Sequence, residues 1–209
     1  MRQILARKDL VQLAEIEIGS WRYRYGSLFL SQLRLSPKQF VEEIIMEIRY
    51  IVSSDDKTAI SRIYEESWKY AYRGIVPQEF LDALPESRWS DRIDTPGWNM
   101  MVCIENGEYI GTSSFGKSRF EKYPDAGEVI TIYLLPEYMG KGYGSKLMAA
   151  VINEMRKQGF KEVFLWTLEE NRKARQFYEN FGFVCTNEFL ADSIGGKDLR
   201  EVRYVYRCA

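Results

Sequence analysis

Not one histidine occurs among the 209 residues. That absence removes serine–histidine and cysteine–histidine catalysis, together with the usual zinc sites, so no metal is expected and any general base must be a carboxylate, a tyrosine, a water or a backbone-linked relay. Cysteine is nearly as scarce. Cys103, Cys185 and Cys208 form an odd set without paired spacing, which excludes a disulfide framework and fits a reducing compartment. Neither sign of charge dominates: 29 Lys and Arg stand against 30 Asp and Glu, so nothing global favours nucleic acid or an anionic membrane as partner. Apolar runs long enough to span a bilayer are missing, and residues 1–9 lack the sustained apolar core of a signal peptide. A cytoplasmic protein without membrane attachment is expected.

What is present begins with a strand that runs into a glycine-rich loop and a helix. The run Val129-Ile130-Thr131-Ile132-Tyr133-Leu134-Leu135 is β-branched and aromatic, with Gly127 before it and Pro136 stopping it. Beyond the loop, Leu147, Met148, Val151, Ile152 and Met155 make an apolar stripe at helical spacing, which Gly159 is placed to end. Between them lie Gly140, Gly142 and Gly144, which have no Cβ to hold an anion away and tolerate positive φ. Lys141 adds a charge there. The arrangement aims free main-chain N–H groups at a phosphate-bearing ligand, with a pyrophosphate as the natural guest.

Two competing glycine loops fail on spacing. A Walker loop needs Gly-Lys followed directly by Ser or Thr, and here Gly140-Lys141 is followed by Gly142. A dinucleotide-binding loop needs Gly-x-Gly-x-x-Gly and an acidic residue closing the next strand, whereas this loop reads Gly-x-Gly-x-Gly and the next strand ends in Trp166-Thr167.

The segment Met139-Gly140-Lys141-Gly142-Tyr143-Gly144, preceded by Leu134-Leu135-Pro136-Glu137-Tyr138, resembles the acetyl-CoA motif of the GCN5-related N-acetyltransferase (GNAT) family. That motif runs (Gln/Arg)-x-x-Gly-x-(Gly/Ala), and Met139 stands where Gln or Arg is usual. A second segment, from Asn171 to Phe183, resembles the family's Asn-x-x-Ala-x-x-x-Tyr-x-x-x-Gly-Phe signature: Asn171 caps a helix with an Ala174/Phe177/Tyr178/Phe181 face, and Gly182 stops it.

The resemblance implies an α/β protein with the acyl-CoA N-acyltransferase fold: a mixed, mostly antiparallel central sheet flanked by helices. It implies acetyl-CoA as co-substrate and acetyl transfer to a primary amine of a small molecule or peptide, by direct attack in a ternary complex. A non-catalytic acyl-CoA-binding module acting through a protein partner is the alternative. By the same resemblance, Tyr178 protonates the departing thiolate and Glu128 serves as general base, through water. The backbone of Leu134 and Leu135 pairs with the pantetheine arm, and the Leu134 N–H polarises the thioester carbonyl. The loop from Met139 to Ser145, including Tyr143, holds the pyrophosphate, and Asn171 is a further cofactor-binding residue. Lys173, with Arg172 and Arg175, faces the 3′-phosphate. Trp68, Tyr72, Phe80, Tyr133 and Tyr204 are candidates for an aromatic wall around the acceptor. A base is wanted because lowering an amine from a pKa of about 10 to 7 represents roughly 4 kcal/mol.

Along the chain, the family-like domain is expected over residues 46–209, within the range of one sizeable α/β domain. Residues 47–53 read as an opening strand; Asp55 or Asp56 caps a helix reaching about Tyr72, and residues 77–84 read as a second short helix. A hairpin turns across Asn106-Gly107, and closing strands are expected at residues 184–190 and 199–207. Residues 1–45 form an extra helical segment in which Ser20-Trp21-Arg22-Tyr23-Arg24-Tyr25 aligns with Ser67-Trp68-Lys69-Tyr70-Ala71-Tyr72. Two readings fit: a partial copy of the first helical region that packs on the domain or in a homodimer, or two amphipathic helices of similar aromatic richness.

Overall fold

The structure, a computed structural model, describes residues 46–93 and 95–208. The helical segment expected at residues 1–45 lies outside the described residues. Residues 48–103 and 109–209 make up one compact unit, which carries the candidate site.

Strand β1 (Met46–Tyr50) leads to helix α1 (Lys57–Ala71), short helix α2 (Gln78–Asp82), and the hairpin of β2 (Asn99–Glu105) and β3 (Glu108–Lys117). Then follow β4 (Gly127–Leu134), α3 (Tyr143–Lys157), β5 (Glu162–Leu168), α4 (Arg172–Phe181), and the hairpin of β6 (Val184–Ile194) and β7 (Lys197–Arg207). The seven strands join in the order β1-β2-β3-β4-β5-β7-β6. The β4–β5 pairing is parallel, and β3–β4, β5–β7 and β6–β7 are antiparallel, the mixed sheet expected.

Local chemistry explains the boundaries. Asp56 is the cap of α1, accepting from the N–H groups of Thr58 at 2.9 Å and Ala59 at 3.1 Å. Its neighbour Asp55 is buried and accepts instead from Arg49 at 2.6 and 2.7 Å, the Val52 N–H at 2.8 Å and the Tyr109 hydroxyl at 2.7 Å. The α3 stripe Leu147, Met148, Val151, Ile152 and Met155 is buried as its periodicity predicts. In α4 only Tyr178 of the expected apolar face is buried. The closing strands are longer than expected because Gly195 and Gly196, at φ 61° and 78°, make a two-residue turn that lets both strands pair to its edge.

One irregularity positions the site. Thr131 pairs with Ser114 and Val129 with Phe115, so Ile130 is an extra residue in β4, a bulge that bends the strand. Strand β4 pairs with β5 only at Gly127↔Val163 and Glu128↔Phe164. Past the bulge the two strands separate.

Candidate active site

A cavity of about 760 Å³ occupies the split, with β4 residues 129–134 on one side and β5 residues Leu165, Trp166 and Thr167 on the other. The end of α1, the glycine loop and α4 complete its walls. Main-chain geometry decides what the split offers. The Leu135 N–H donates to Ile110 O at 2.8 Å, which fixes the alternation: Tyr133 bonds toward β3, while Leu134 and Ile132 turn their polar groups toward the gap. Successive strand residues bond to opposite sides, so Leu134 and Leu135 do not serve one ligand edge together. The Leu135 carbonyl accepts from the Tyr138 N–H at 3.0 Å, and the Leu134 carbonyl accepts from the Ser67 hydroxyl of α1. Of the four main-chain groups of this dipeptide, the Leu134 N–H is the one left for a ligand, and Ile132 is its partner on the same edge. Ser67, which lies in neither cofactor motif, ties Leu134 to α1.

The glycine loop is built to approach an anion closely. Gly140 and Gly142 sit at φ 72° and 90°, and an added Cβ would meet nothing within 4 Å at either, so glycine is required by conformation and open space lies where side chains would stand. Gly142 is the cap of the 15-residue helix α3, whose first N–H groups and dipole face that space. Gly144 meets a different demand: its Cβ would lie 3.4 Å from both Leu134 and Phe177. Met139 and Ser145 also line the cavity, whereas Lys141 lies over the Tyr138 ring at 5.5 Å and Tyr143 packs edge-on to the same ring at 5.7 Å.

Helix α4 presents Tyr178 to the cavity, and no described residue hydrogen-bonds its hydroxyl. Burial, then the neighbouring Tyr133, pushes that phenol well above its ordinary range, keeping it protonated. Asn171 uses its side-chain oxygen to cap α4, accepting from the Ala174 N–H at 3.2 Å, which leaves its NH₂ facing the cavity. Lys173 donates to the Tyr70 hydroxyl at 3.3 Å across the cavity mouth. Arg175 is committed internally, to Tyr204 Oη at 3.0 Å and Glu169 O at 3.1 Å.

Glu128 is 1% exposed and does not line the cavity. Its oxygens accept from Arg119 Nη2 at 2.7 Å, Nε at 3.1 Å and the Arg119 N–H at 3.0 Å. A carboxylate with three such donors anchors the loop after β3.

A family model for the acetyltransferase (GNAT) family matches residues 59–183. The chain belongs to the GNAT acetyltransferase family. Among relatives, the L-amino acid N-acyltransferase MnaT of Escherichia coli is 32% identical over 68% of this chain and 81% of its own. The spermidine N(1)-acetyltransferase of Thermoplasma acidophilum is 26% identical over 76% of this chain and 98% of its own. The solved structure of yncA, a putative acetyltransferase from Salmonella typhimurium with acetyl-CoA, shares the fold at a TM-score of 0.59, with 24% identity over 78% of this chain and 94% of its own.

As a GNAT enzyme the chain uses acetyl-CoA as donor, and its residues suit that molecule: positive-φ glycines with space before them, a helix start, and a strand edge bared by the bulge. Among the described residues no His, Cys, Asp and Glu group could hold a metal, and no helix is long and apolar enough to cross a membrane.

The aromatic wall expected for the acceptor divides. Tyr72 and Tyr133 line the cavity, their hydroxyls interacting with each other. Burial pushes Tyr133 up to about 12 and Tyr72 well above its ordinary value. Trp68 stands behind them, donating its indole N–H to Tyr133 Oη at 3.1 Å. Phe80 is instead under the β6–β7 turn, 2.7 Å from where a Gly195 Cβ would be. Tyr204 is fully buried, donating to Glu179 at 2.6 Å; it is core, because β7 turns it beneath α4. The residues missed in the sequence are Ser67, Tyr70, Ile132, Trp166 and Phe177, and beyond the cavity lining Glu201. Only Phe177 lies within a motif; the others are brought together by sheet order and by the end of α1.

Proposed function

We propose that this enzyme transfers acetyl from acetyl-CoA to a primary amine of a small molecule or peptide, by direct attack while both are bound. The observation that carries the reading is the split strand pair, with the Leu134 N–H on its edge and the unpartnered Tyr178 hydroxyl beside it. In this reading the Leu134 N–H donates to the thioester oxygen as charge develops there. Tyr178 gives its proton to the departing sulfur, a role suited to a phenol that burial keeps protonated. The α3 start and the loop from Met139 to Ser145 receive the pyrophosphate, Asn171 donates to the pantetheine arm, and Lys173 stands at the mouth for phosphate charge. The relatives that act on L-amino acids and spermidine support a small amine as acceptor. That amine arrives protonated, and its proton goes to a carboxylate on the sheet face that carries Glu128 and Glu201, beyond the cavity lining.

Incubating the full-length chain with acetyl-CoA and a panel of primary amines, and following free thiol, tests the reading. Release of CoA that depends on an amine is expected. Tight acetyl-CoA binding without turnover by any amine would overturn it and favour a binding module.

A further inference from the structure

We propose that Glu201, on β7, receives the ammonium group of the acceptor and takes its proton. This rests on the acetyl-transfer reading and names a residue that neither motif contains.

The argument starts from register. Glu128 lies beside Phe164, so the two share a face of the sheet; Trp166 and Leu168 follow at even spacing on β5. Across the next pairing, Arg203 opposes Trp166 and Glu201 opposes Leu168, which keeps both on that face. On β4, Gly116↔Glu128 and Ser114↔Thr131 carry the same face past the bulge to Thr131 and Tyr133. Tyr204 and Val202 point the other way, where Tyr204 packs 5.9 Å from Tyr178. The sheet therefore has a face with Tyr178 and α4, and an opposite face onto which Glu128, Tyr133, Trp166 and Glu201 project. The split between β4 and β5 joins the two.

On that opposite face most polar groups are already engaged. Glu128 is held by Arg119, Arg203 bridges Glu162 at 3.0 Å and Glu188 at 2.7 Å, and Tyr133 accepts from Trp68. Glu201 is different. No described residue hydrogen-bonds its carboxylate, which is partly buried and diagonal to Trp166 of the cavity wall. The Trp166 indole N–H is likewise buried without a partner among the described residues. The charged and titratable groups around Glu201 are Asp192 of β6, Glu128 and Tyr133 of β4, Tyr72 at the end of α1, and Arg119 after β3. Two carboxylates against one guanidinium, itself claimed by Glu128, make this a place for a cation.

The same surroundings set the proton affinity. Burial, then Asp192, lifts Glu201 above the ordinary carboxylate range, and Glu128 adds to this while Arg119 opposes it. Glu128 is thus fixed in an ion pair, whereas Glu201 has no hydrogen-bond partner among the described residues. The balance of the step is simple. The ammonium proton moves to Glu201, the freed amine forms the C–N bond, and the C–S bond breaks as Tyr178 protonates the sulfur. The second nitrogen proton restores Tyr178, and Glu201 releases its proton to solvent.

The test uses the full-length chain, its Glu201→Gln and Glu128→Gln variants, and primary amines graded from strongly basic alkylamines to weakly basic hydrazides. For Glu201→Gln, kcat/KM toward the alkylamines at neutral pH is expected to fall by about 10²–10⁴-fold. The loss should shrink toward the hydrazides, which arrive uncharged, with acetyl-CoA affinity unchanged. The acidic limb of wild-type kcat/KM should lie above the ordinary carboxylate range and vanish in Glu201→Gln. An equal loss for every amine, no loss, or disappearance of the limb in Glu128→Gln alone would overturn the proposal. A titration of ¹³C-glutamate carboxyl signals supplies a readout without turnover: one signal should titrate high, move when an alkylamine is added, and be absent from Glu201→Gln. If no amine is acetylated by wild type, the acetyl-transfer reading fails; a high-titrating, amine-sensitive Glu201 signal would still support the cation site, and its absence would remove it.

Discussion

Tyr178 holds its proton because the phenolate would be stranded in an apolar wall beside another tyrosine. Tyr178→Phe keeps the ring packing and removes only the hydroxyl, so kcat is expected to fall about 10²-fold while acetyl-CoA affinity measured by calorimetry stays the same. At this scale the sequence was legible where a residue's role is local. Asn171, Tyr178 and the glycines sit on the cavity because a cap, a helix face and a turn are written in neighbouring positions. It was illegible where the role depends on which way a strand residue turns. The resemblance implies a ligand edge shared by Leu134 and Leu135, but adjacent strand residues face opposite neighbours. The aromaticity of Tyr204 suggests a wall residue, and β7 turns it into the core. Glu201 carries no signal of its own, since a lone glutamate in a strand says nothing until β7 is known to lie beside β5.

The glycine loop and α3 act as one element. Gly142→Ala places a Cβ in open space but at a φ of 90°, so the cost is backbone strain of about 1–2 kcal/mol. Where that strain is relieved by the loop moving, acetyl-CoA binding should weaken roughly tenfold, which calorimetry would read directly. The β5–β7 pair is held by a different device. Arg203 is buried, bonded to Glu162 and Glu188, and lies 3.8 Å from the Tyr123 ring centre. Arg203→Leu would break both ion pairs, and a loss of about 2–3 kcal/mol in urea unfolding is expected. Helix existence and order followed from periodicity and caps. The lengths of β6 and β7 did not, because the two glycines of their turn read as an ordinary loop.

For the whole molecule, depressed carboxylates, Glu188 and Asp55 among them, set the acid limit. Hydrogen bonding from Lys122, then Tyr123, with Arg203 adding its charge, holds Glu188 down from 4.5 to about 2. Arg49 holds Asp55 well below the usual range. A group whose folded pKa is depressed lends stability that is full above its unfolded value and lost as pH falls through its folded one. The melting temperature should therefore decline as pH falls from about 4.5 to about 2, with a shallower decline in a Glu188→Gln variant. Glu201, whose folded pKa is raised, works in the opposite sense, its contribution being lost as pH rises above its unfolded value. The bulge at Ile130 acts at this scale too. A sheet is normally a wall; here one extra residue cuts a window in it, and a donor lodged on one side can be reached by an acceptor from the other. In the proposed reaction neither reactant must then leave for the second to arrive. Initial-rate plots against acetyl-CoA at several amine concentrations should intersect, and free CoA should compete with acetyl-CoA but not with the amine.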